Sequence, residues 1–226
     1  MNTQPFTSTD IDAILFDMDG TLIDTDDTDV RRWAKRIARL YRSPERARSA
    51  ARSIVMAMES PINSLFSVLD WVGLDNLVVR VMIALQGNQK GLHDIPAVKN
   101  TPEMIETLAG HYRLGVVSTR SVGEQEALLK NLGLRELFDV LVGRDSLWRI
   151  KPHPQPILYA AHALGVEPGR CLMVGDTTVD VLAGRRAGAW TCGVLCGYGE
   201  QAELERAGAD VIIEGTAELG RWLLER

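Results

Sequence analysis

The sequence predicts an α/β fold: a parallel sheet with helices on both faces and an all-helical segment inserted after the first strand. Three observations predict it. Residues 11–16 form a short apolar run that ends abruptly in acidic residues, as a buried strand with a functional end does. Residues 24–95 show apolar positions at helical spacing and no strand-like alternation. From residue 96 onward, short apolar runs alternate with helical patterns, which is typical of a parallel sheet.

The change of residue pattern along the chain predicts two domains. Residues 1–23 and 96–226 form the sheet core, and residues 24–95 form a helical cap inserted into it. Within the cap, the stretch from Arg31 to Arg52 is unusually basic. We expect a solvated helix face there. Capture of a polyanionic substrate is an alternative, and docking to a membrane or nucleic acid is a weaker one.

The elements of the core follow from the apolar runs and the turn residues. Thr101 and Pro102 predict a helix start, with Thr101 as the N-cap, and Gly110 predicts the helix end. Further helices are predicted over 122–132, 154–164 and 179–187 and after each of the last two strands. Strands after the first are predicted over 114–117, 138–142, 171–174, 191–194 and 211–213.

Composition and charge indicate an ordinary soluble globular chain. Of its 226 residues, 46% are hydrophobic and 24% charged, and the formal net charge of -5 argues against a nucleic-acid partner. The three cysteines, Cys171, Cys192 and Cys196, lack the spacing of a zinc site and fit a reducing compartment. Residues 1–9 lack the regions of a signal peptide, and no apolar run is long enough to cross a bilayer. We therefore expect a cytoplasmic protein without a membrane partner, and the sequence predicts no particular oligomeric state.

Polar residues follow several predicted strands, at the carboxyl ends where sites gather in parallel sheets. They are Asp17 and Asp19 after the first strand, Ser118 and Thr119 after the next, Lys151 before a later helix, and Asp176 and Asp180 after 171–174. Carboxylates, a hydroxyl and one ammonium at one sheet edge suit a hard divalent cation and an oxyanion, so we predict a Mg²⁺ site with a phosphate beside it. Gly20 allows an unusual backbone geometry in which neighbouring N–H groups, including that of Met18, face phosphate oxygens.

These residues also have ordinary structural interpretations. The segment that begins at Asp17 could belong to a calcium loop, but an EF-hand needs glycine at its sixth position, and here it stands at the fourth. Asp176 could be a helix N-cap, Ser118 a turn residue and Lys151 a solvated surface lysine. Their occurrence together, in this order, favours the functional interpretation.

This order of motifs resembles the haloacid-dehalogenase-like hydrolase superfamily, in particular its phosphatase branch with a helical cap after the first motif. Residues 16–22 carry the first motif, 116–118 the second, 151–152 the third and 174–180 the fourth. Residues 183–188 resemble the usual continuation, and 197–199 with 207–210 resemble the ending of phosphoglycolate-phosphatase-like members. The resemblance covers nearly the whole chain and implies a Rossmann-like sheet core with a helical cap.

The resemblance also implies roles for the acidic residues. Asp17 would attack phosphorus and form an aspartyl-phosphate. Asp19 would protonate the leaving oxygen and later deprotonate the attacking water. Mg²⁺ would be held by Asp17, the backbone carbonyl of Asp19 and Asp176, with Asp180 supporting the metal shell.

The second and third motifs would bind the phosphoryl group. Ser118 would hydrogen-bond one of its oxygens, and Lys151 would stabilise its charge. After Ser118 the superfamily usually has asparagine, whereas here Thr119 and Arg120 follow. Thr119 keeps a backbone N–H for phosphate. Arg120 could reach a second anionic group of a substrate, although we expect a solvated arginine.

Asp19 distinguishes among the reactions of the superfamily. Its dehalogenases lack this acid and the Mg²⁺ requirement, and the phosphonate-cleaving branch replaces it, so both reactions are disfavoured. We therefore predict a Mg²⁺-dependent phosphatase that hydrolyses a small phosphorylated metabolite. Two alternatives stay open. One is a sugar phosphomutase of the same superfamily, and the other is a non-catalytic protein that binds a phosphate ligand or has a regulatory role.

Overall fold

The structure is a computed structural model, and it describes residues 6–24 and 95–225. This part of the chain contains a six-stranded sheet in which every strand pair is parallel. The strands are β1 (Ala13–Phe16), β2 (Arg113–Val117), β3 (Val140–Val142), β4 (Cys171–Gly175), β5 (Trp190–Val194) and β6 (Val211–Ile213). The helices are α1 (Thr101–Ala109), α2 (Val122–Asn131), α3 (Gln155–Leu164), α4 (Thr178–Ala187), α5 (Gln201–Ala207) and α6 (Leu219–Leu224).

The strand order places β1 at the centre of the sheet. The order is β3-β2-β1-β4-β5-β6, so the chain builds outward from β1 on one side and then crosses to β4 to build the other side. In parallel sheets, the point where the order reverses opens a crevice outside the carboxyl ends of the strands. The ends of β1 and β4 meet at this point.

Helices cover both faces of the sheet. Side chains alternate along a strand, so neighbouring residues of β1 face opposite sides. Ile14 and Phe16 belong to a buried cluster with apolar residues of α1, α2 and α6. Ala13 and Leu15 belong to a second cluster with apolar residues of α3 and α4. The predicted α/β class with a Rossmann-like parallel core is confirmed.

Most element boundaries differ by one or two residues from the sequence-based expectation, and two of these differences have a clear local cause. The N-cap of α1 is Asn100, whose left-handed backbone (φ 62°) precedes the first helical residue, Thr101. The third strand begins at Val140 rather than at residue 138, because a 3-10 turn over Arg135–Leu137 is followed by Phe138, whose ring packs edge-on against Phe16 in the core.

The residues on either side of the segment 25–94 pair with each other. The N–H of Asp24 donates to the carbonyl of Pro96 at 2.9 Å, and the N–H of Val98 donates to that of Leu22 at 3.0 Å. The chain divides into two compact units, one of Met1–Asp24 with Leu92–Arg226 and the other of Thr25–Gly91. The predicted helical cap over 24–95, with its basic stretch, lies outside the described residues apart from its two ends, and the predicted domain boundaries stay predictions.

Candidate active site

The acidic turn after β1 is held by backbone hydrogen bonds. The N–H of Asp17 donates to the carbonyl of Val174 at 2.8 Å, so this residue continues the pairing of β1 with β4. Gly20 then has a φ of 73°, and its N–H donates to the carbonyl of Ile23 at 2.9 Å. The side chain of Met18 is buried in the core. Gly20 therefore acts through its conformation, and the phosphate-binding roles given to Met18 and Gly20 stay predictions.

Three carboxylates meet at the carboxyl ends of β1 and β4. One ligand oxygen from each of Asp17, Asp176 and Asp180 lies within 4.8 Å of the other two, and all three residues are buried. Asp17 follows β1, Asp176 follows β4, and Asp180 lies in the first turn of α4. The reversal of strand order thus brings together the three side chains for which metal binding was predicted. The backbone carbonyl of Asp19 as a fourth ligand stays a prediction.

Lys151 supplies a positive charge within this cluster. Its Nζ donates to Oδ1 of Asp17 at 2.6 Å and to Oδ1 of Asp180 at 2.5 Å, and its side chain is 3% exposed. The interpretation as a solvated surface lysine is therefore wrong. Burial by itself would lower the pKa of Lys151, but the carboxylates of Asp17 and Asp180 raise it above its ordinary value. The lysine is a fixed ammonium in the site.

Burial and the neighbouring charges of the cluster both act on the pKa of Asp17. Burial raises this pKa from 3.8 to about 7. Lys151 opposes the rise, whereas the carboxylates of Asp180 and Asp19 add to it. Three buried carboxylates beside one ammonium leave excess negative charge that a divalent cation would offset. Because Mg²⁺ prefers oxygen ligands, this donor set fits the predicted ion.

Asp176 is enclosed by backbone. Its Oδ2 accepts the N–H of Tyr198 at 2.8 Å, and its Oδ1 accepts the hydroxyl of Thr21 at 3.4 Å. A Cβ added at Gly20 or at Gly197 would lie 2.5 Å or 2.1 Å from Oδ2. Both positions therefore need glycine, since a side chain would occupy the space of the carboxylate.

The loop after β5 is the part of the site that sequence reasoning missed. Residues 197–199 were noted only as a likeness in the chain's ending, yet this loop packs against Asp176. A Cβ at Gly199 would lie 1.9 Å from the carbonyl oxygen of Asp176. The available signal was a pair of glycines just beyond a strand, because the carboxyl ends of neighbouring parallel strands share one edge.

Asp180 has two structural partners. Its Oδ2 accepts the N–H and the hydroxyl of Thr177 at 3.2 Å and 2.6 Å, while its Oδ1 accepts from Lys151. Thr177 is the N-cap of α4, so the interpretation of Asp176 as that N-cap is wrong. These bonds fix Asp180 between the helix start and the lysine.

Arg120 lies against Asp19 instead of in solvent. Its Nε donates to Oδ2 of Asp19 at 2.8 Å and its Nη2 to Oδ1 at 2.6 Å. The arginine side chain is 12% exposed and that of Asp19 is 29% exposed. The expectation of a solvated Arg120 is wrong. The sequence could not show that a residue 101 positions away along the chain is the neighbour of Asp19.

Ser118 and Thr119 follow β2, on the other side of β1. The N–H of Ser118 donates to the carbonyl of Val142 at 3.0 Å, and its hydroxyl accepts the N–H of Arg120 at 3.2 Å. Ser118 is buried, whereas Thr119 is exposed. Ser118 thus has the turn-forming contact considered for it, and the phosphate contacts of Ser118, Thr119 and Arg120 stay predictions.

Within the described ranges, no helix has the length and apolar character needed to cross a membrane.

Known proteins are similar to this chain over most of its length. The putative pyrophosphatase PpaX of Clostridium perfringens is 31% identical over 187 residues, which cover 81% of this chain and 84% of that protein. A haloacid dehalogenase-like hydrolase from Streptococcus pneumoniae is similar in structure, with a TM-score of 0.63, 26% identity, and coverage of 93% of this chain and 97% of that one. A predicted phosphoglycolate phosphatase from Haemophilus somnus shares the fold, with a TM-score of 0.62, 22% identity, and coverage of 94% and 97%.

A family model confirms the superfamily that the motifs indicated. The model described as haloacid dehalogenase-like hydrolase matches residues 14–194, a range that spans the first to the fourth motif. With the relatives above, it confirms the expected kind of enzyme, a phosphatase-type hydrolase. The chain belongs to the haloacid dehalogenase-like hydrolase family.

Proposed function

We propose that this chain is a Mg²⁺-dependent phosphatase that hydrolyses a small phosphomonoester through an aspartyl-phosphate on Asp17. The observation that carries the proposal is the buried cluster of Asp17, Asp176 and Asp180 around the ammonium of Lys151. A buried carboxylate with one bond to an ammonium keeps an oxygen for attack. A second carboxylate, that of Asp19, lies two residues away in a partly exposed position.

Different residues of the chain have different roles in the reaction. An oxygen of Asp17 attacks phosphorus, and the electron pair of the broken P–O bond leaves on the substrate oxygen, which takes a proton from Asp19. Lys151 holds the Asp17 carboxylate in place and offsets charge on the phosphoryl group. Asp17, Asp176 and Asp180 would hold Mg²⁺, which when bound supplies positive charge that reduces repulsion between the anionic nucleophile and the anionic phosphate.

Inorganic pyrophosphate is a second candidate substrate. The likeness that favours it is the 31% identity to the putative pyrophosphatase of Clostridium perfringens. Pyrophosphate offers the same phosphoryl group for attack, with phosphate as the leaving group. The two candidates therefore differ in the leaving group, while the roles of Asp17 and Lys151 are the same.

The test compares p-nitrophenyl phosphate, pyrophosphate and a panel of phosphorylated metabolites, with Mg²⁺ and with a chelator. We expect turnover that requires Mg²⁺ and that Asp17→Asn lowers by about a thousandfold or more, since the nucleophile is lost. Asp139→Asn is the matched control, because Asp139 pairs with Arg113 away from the acidic cluster. Full activity of Asp17→Asn would refute the assignment of the nucleophile.

The remaining outcomes separate the alternatives. Release of inorganic phosphate in proportion to substrate loss supports a hydrolase, whereas an isomeric sugar phosphate without released phosphate supports a phosphomutase. If the wild-type chain turns over none of these compounds, the proposal fails and a non-catalytic binding role is favoured.

A further inference from the structure

The ion pair between Arg120 and Asp19 engages both oxygens of the Asp19 carboxylate. The guanidinium binds both carboxylate oxygens, at 2.8 Å through Nε and 2.6 Å through Nη2. Such a two-bond contact fixes the plane of a carboxylate, because the arginine fork is planar and its two donors are rigidly spaced. An aspartate side chain has several staggered rotamers, and this contact holds the partly exposed Asp19 in one of them.

The backbone of Arg120 is fixed on two sides. Its N–H donates to the hydroxyl of Ser118 at 3.2 Å. Its carbonyl accepts from Nε2 of Gln125 at 3.1 Å and from the N–H of Arg144 at 3.1 Å. Gln125 is fully buried, and its Nε2 also donates to the carbonyl of Val142 at 3.0 Å, which connects the arginine to β3.

Close packing further restricts the backbone of Arg120. A Cβ added at Gly143 would lie 2.6 Å from the carbonyl oxygen of Arg120. The segment after β3 therefore comes close to the backbone of Arg120, and the side chain that extends from it toward Asp19 has a rigid base.

We propose that Arg120 is a positioning residue that orients the ionised carboxylate of Asp19 to accept a proton during hydrolysis of the aspartyl-phosphate, an inference that rests on the proposed function. An ionised carboxylate offers about four acceptor positions, and the guanidinium occupies two of them. The remaining positions are available to water.

Hydrolysis of the aspartyl-phosphate conserves atoms and charge. The oxygen of water bonds to the phosphorus carried by Asp17, and one water proton moves to Asp19. The P–O bond to Asp17 breaks, and its electron pair returns to the Asp17 carboxylate. Inorganic phosphate leaves, and Asp19 then holds the proton that the next leaving oxygen requires.

The test measures the two half-reactions separately with p-nitrophenyl phosphate and Mg²⁺. The p-nitrophenolate group leaves without a proton, so the rapid release of p-nitrophenol reports phosphorylation of Asp17 without help from Asp19. Decay of the phosphoenzyme, followed by rapid quench with radiolabelled substrate, reports the second half. We expect Arg120→Gln to slow this decay by about tenfold to a hundredfold and to change the rate of phosphorylation by about threefold or less.

Two further variants support the comparison. Arg120→Lys keeps the charge but loses the fork, so its decay rate should lie between those of the wild type and Arg120→Gln. Arg113→Gln is the matched control: Arg113 also pairs with an aspartate, Asp139, but it is the first residue of β2, at the end opposite to the site. Both of its rates should equal those of the wild type.

Three results would overturn the inference. An unchanged decay rate in Arg120→Gln shows that Asp19 needs no positioning, and an equal fall in both rates shows that Arg120 acts on substrate binding or phosphorylation. If Arg120→Gln does not fold, judged by circular dichroism, then Arg120→Lys decides: decay as fast as in the wild type overturns the inference, and selectively slowed decay supports it. A wild-type chain that forms no phosphoenzyme would instead refute the proposed function.

Discussion

Ionised Asp17 destabilises the metal-free protein, because burial raises the pKa of its carboxyl from 3.8 to about 7. Between these two values the folded state binds more protons at this group than the unfolded state does. The contribution of this group to the free energy of unfolding is therefore greatest below pH 3.8 and falls as the pH rises toward 7. A bound divalent cation would favour the ionised form and oppose this loss.

Urea unfolding in the presence of a chelator, over a pH range of about 4 to 8, checks this expectation. The free energy of unfolding of Asp17→Asn should fall less with rising pH than that of the wild type, because asparagine does not titrate. Asp139→Asn controls for the substitution itself, because Asp139 pairs with Arg113 away from the acidic cluster. Parallel slopes for the wild type and Asp17→Asn would contradict the raised pKa.

At the residue scale, the sequence predicted which polar residues would lie close together better than it predicted their contacts. Asp17, Asp176, Asp180 and Lys151 follow strand ends or precede helices, so the parallel sheet alone was enough to bring them together. The contact of Arg120 with Asp19 could not be predicted in this way. It depends on the direction of a long side chain between two turns, which a sequence pattern does not encode.

The loop after β5 packs closely against Asp176, a predicted metal ligand. Gly197 approaches Asp176 so closely that an added Cβ would lie 2.1 Å from Oδ2. We expect Gly197→Ala to displace this carboxylate and to weaken Mg²⁺ binding by about tenfold or more, the scale on which changes around metal ligands act.

Titration of activity with Mg²⁺ gives the apparent binding constant for this comparison. Gly110→Ala is the matched substitution, because the nearest atom to its added Cβ is a carbonyl oxygen of the same turn at 3.5 Å, an ordinary contact. Its Mg²⁺ dependence should equal that of the wild type. A Gly197→Ala variant with wild-type Mg²⁺ dependence would show that Asp176 tolerates displacement or does not bind the ion.

At the element scale, helix ends were predicted well where a glycine marks them. Gly165 and Gly188 end α3 and α4 with positive φ values of 68° and 78°, as their positions in the sequence indicated. The start of α1 was misplaced by one residue because Asn100 as well as Thr101 can cap a helix, and the left-handed backbone of Asn100 decided between them.

At the scale of the whole molecule, the class of fold followed from the pattern, but the order of the strands did not. Alternating strands and helices require parallel pairing with crossovers, and this holds for several strand orders. The observed order puts β1 between β2 and β4 through pairs that lie far apart in the sequence, such as Phe16 with Val174. Such pairing depends on which faces pack together, and local periodicity carries no information about it.

The sheet unit should fold without the segment 25–94. Met1–Asp24 and Leu92–Arg226 form one compact unit, and beside the cut the N–H of Asp24 donates to the carbonyl of Pro96 at 2.9 Å. A short glycine-serine linker between these ends therefore adds little loop-closure entropy. We expect the shortened chain to show a cooperative thermal transition and the circular dichroism of an α/β protein. A broad, non-cooperative transition would contradict this expectation.

The paired backbones at 22–24 and 96–98 form a graft junction, a point at which the chain leaves the sheet unit and re-enters it at the same place. We expect an inserted segment that starts and ends at this junction to leave the register of β1 with β2 and β4 unaltered, whatever its length. The positions of Asp17, Asp176 and Asp180 depend on that register and not on the inserted length. Such an architecture allows the insert to be exchanged or redesigned while the acidic cluster stays in place.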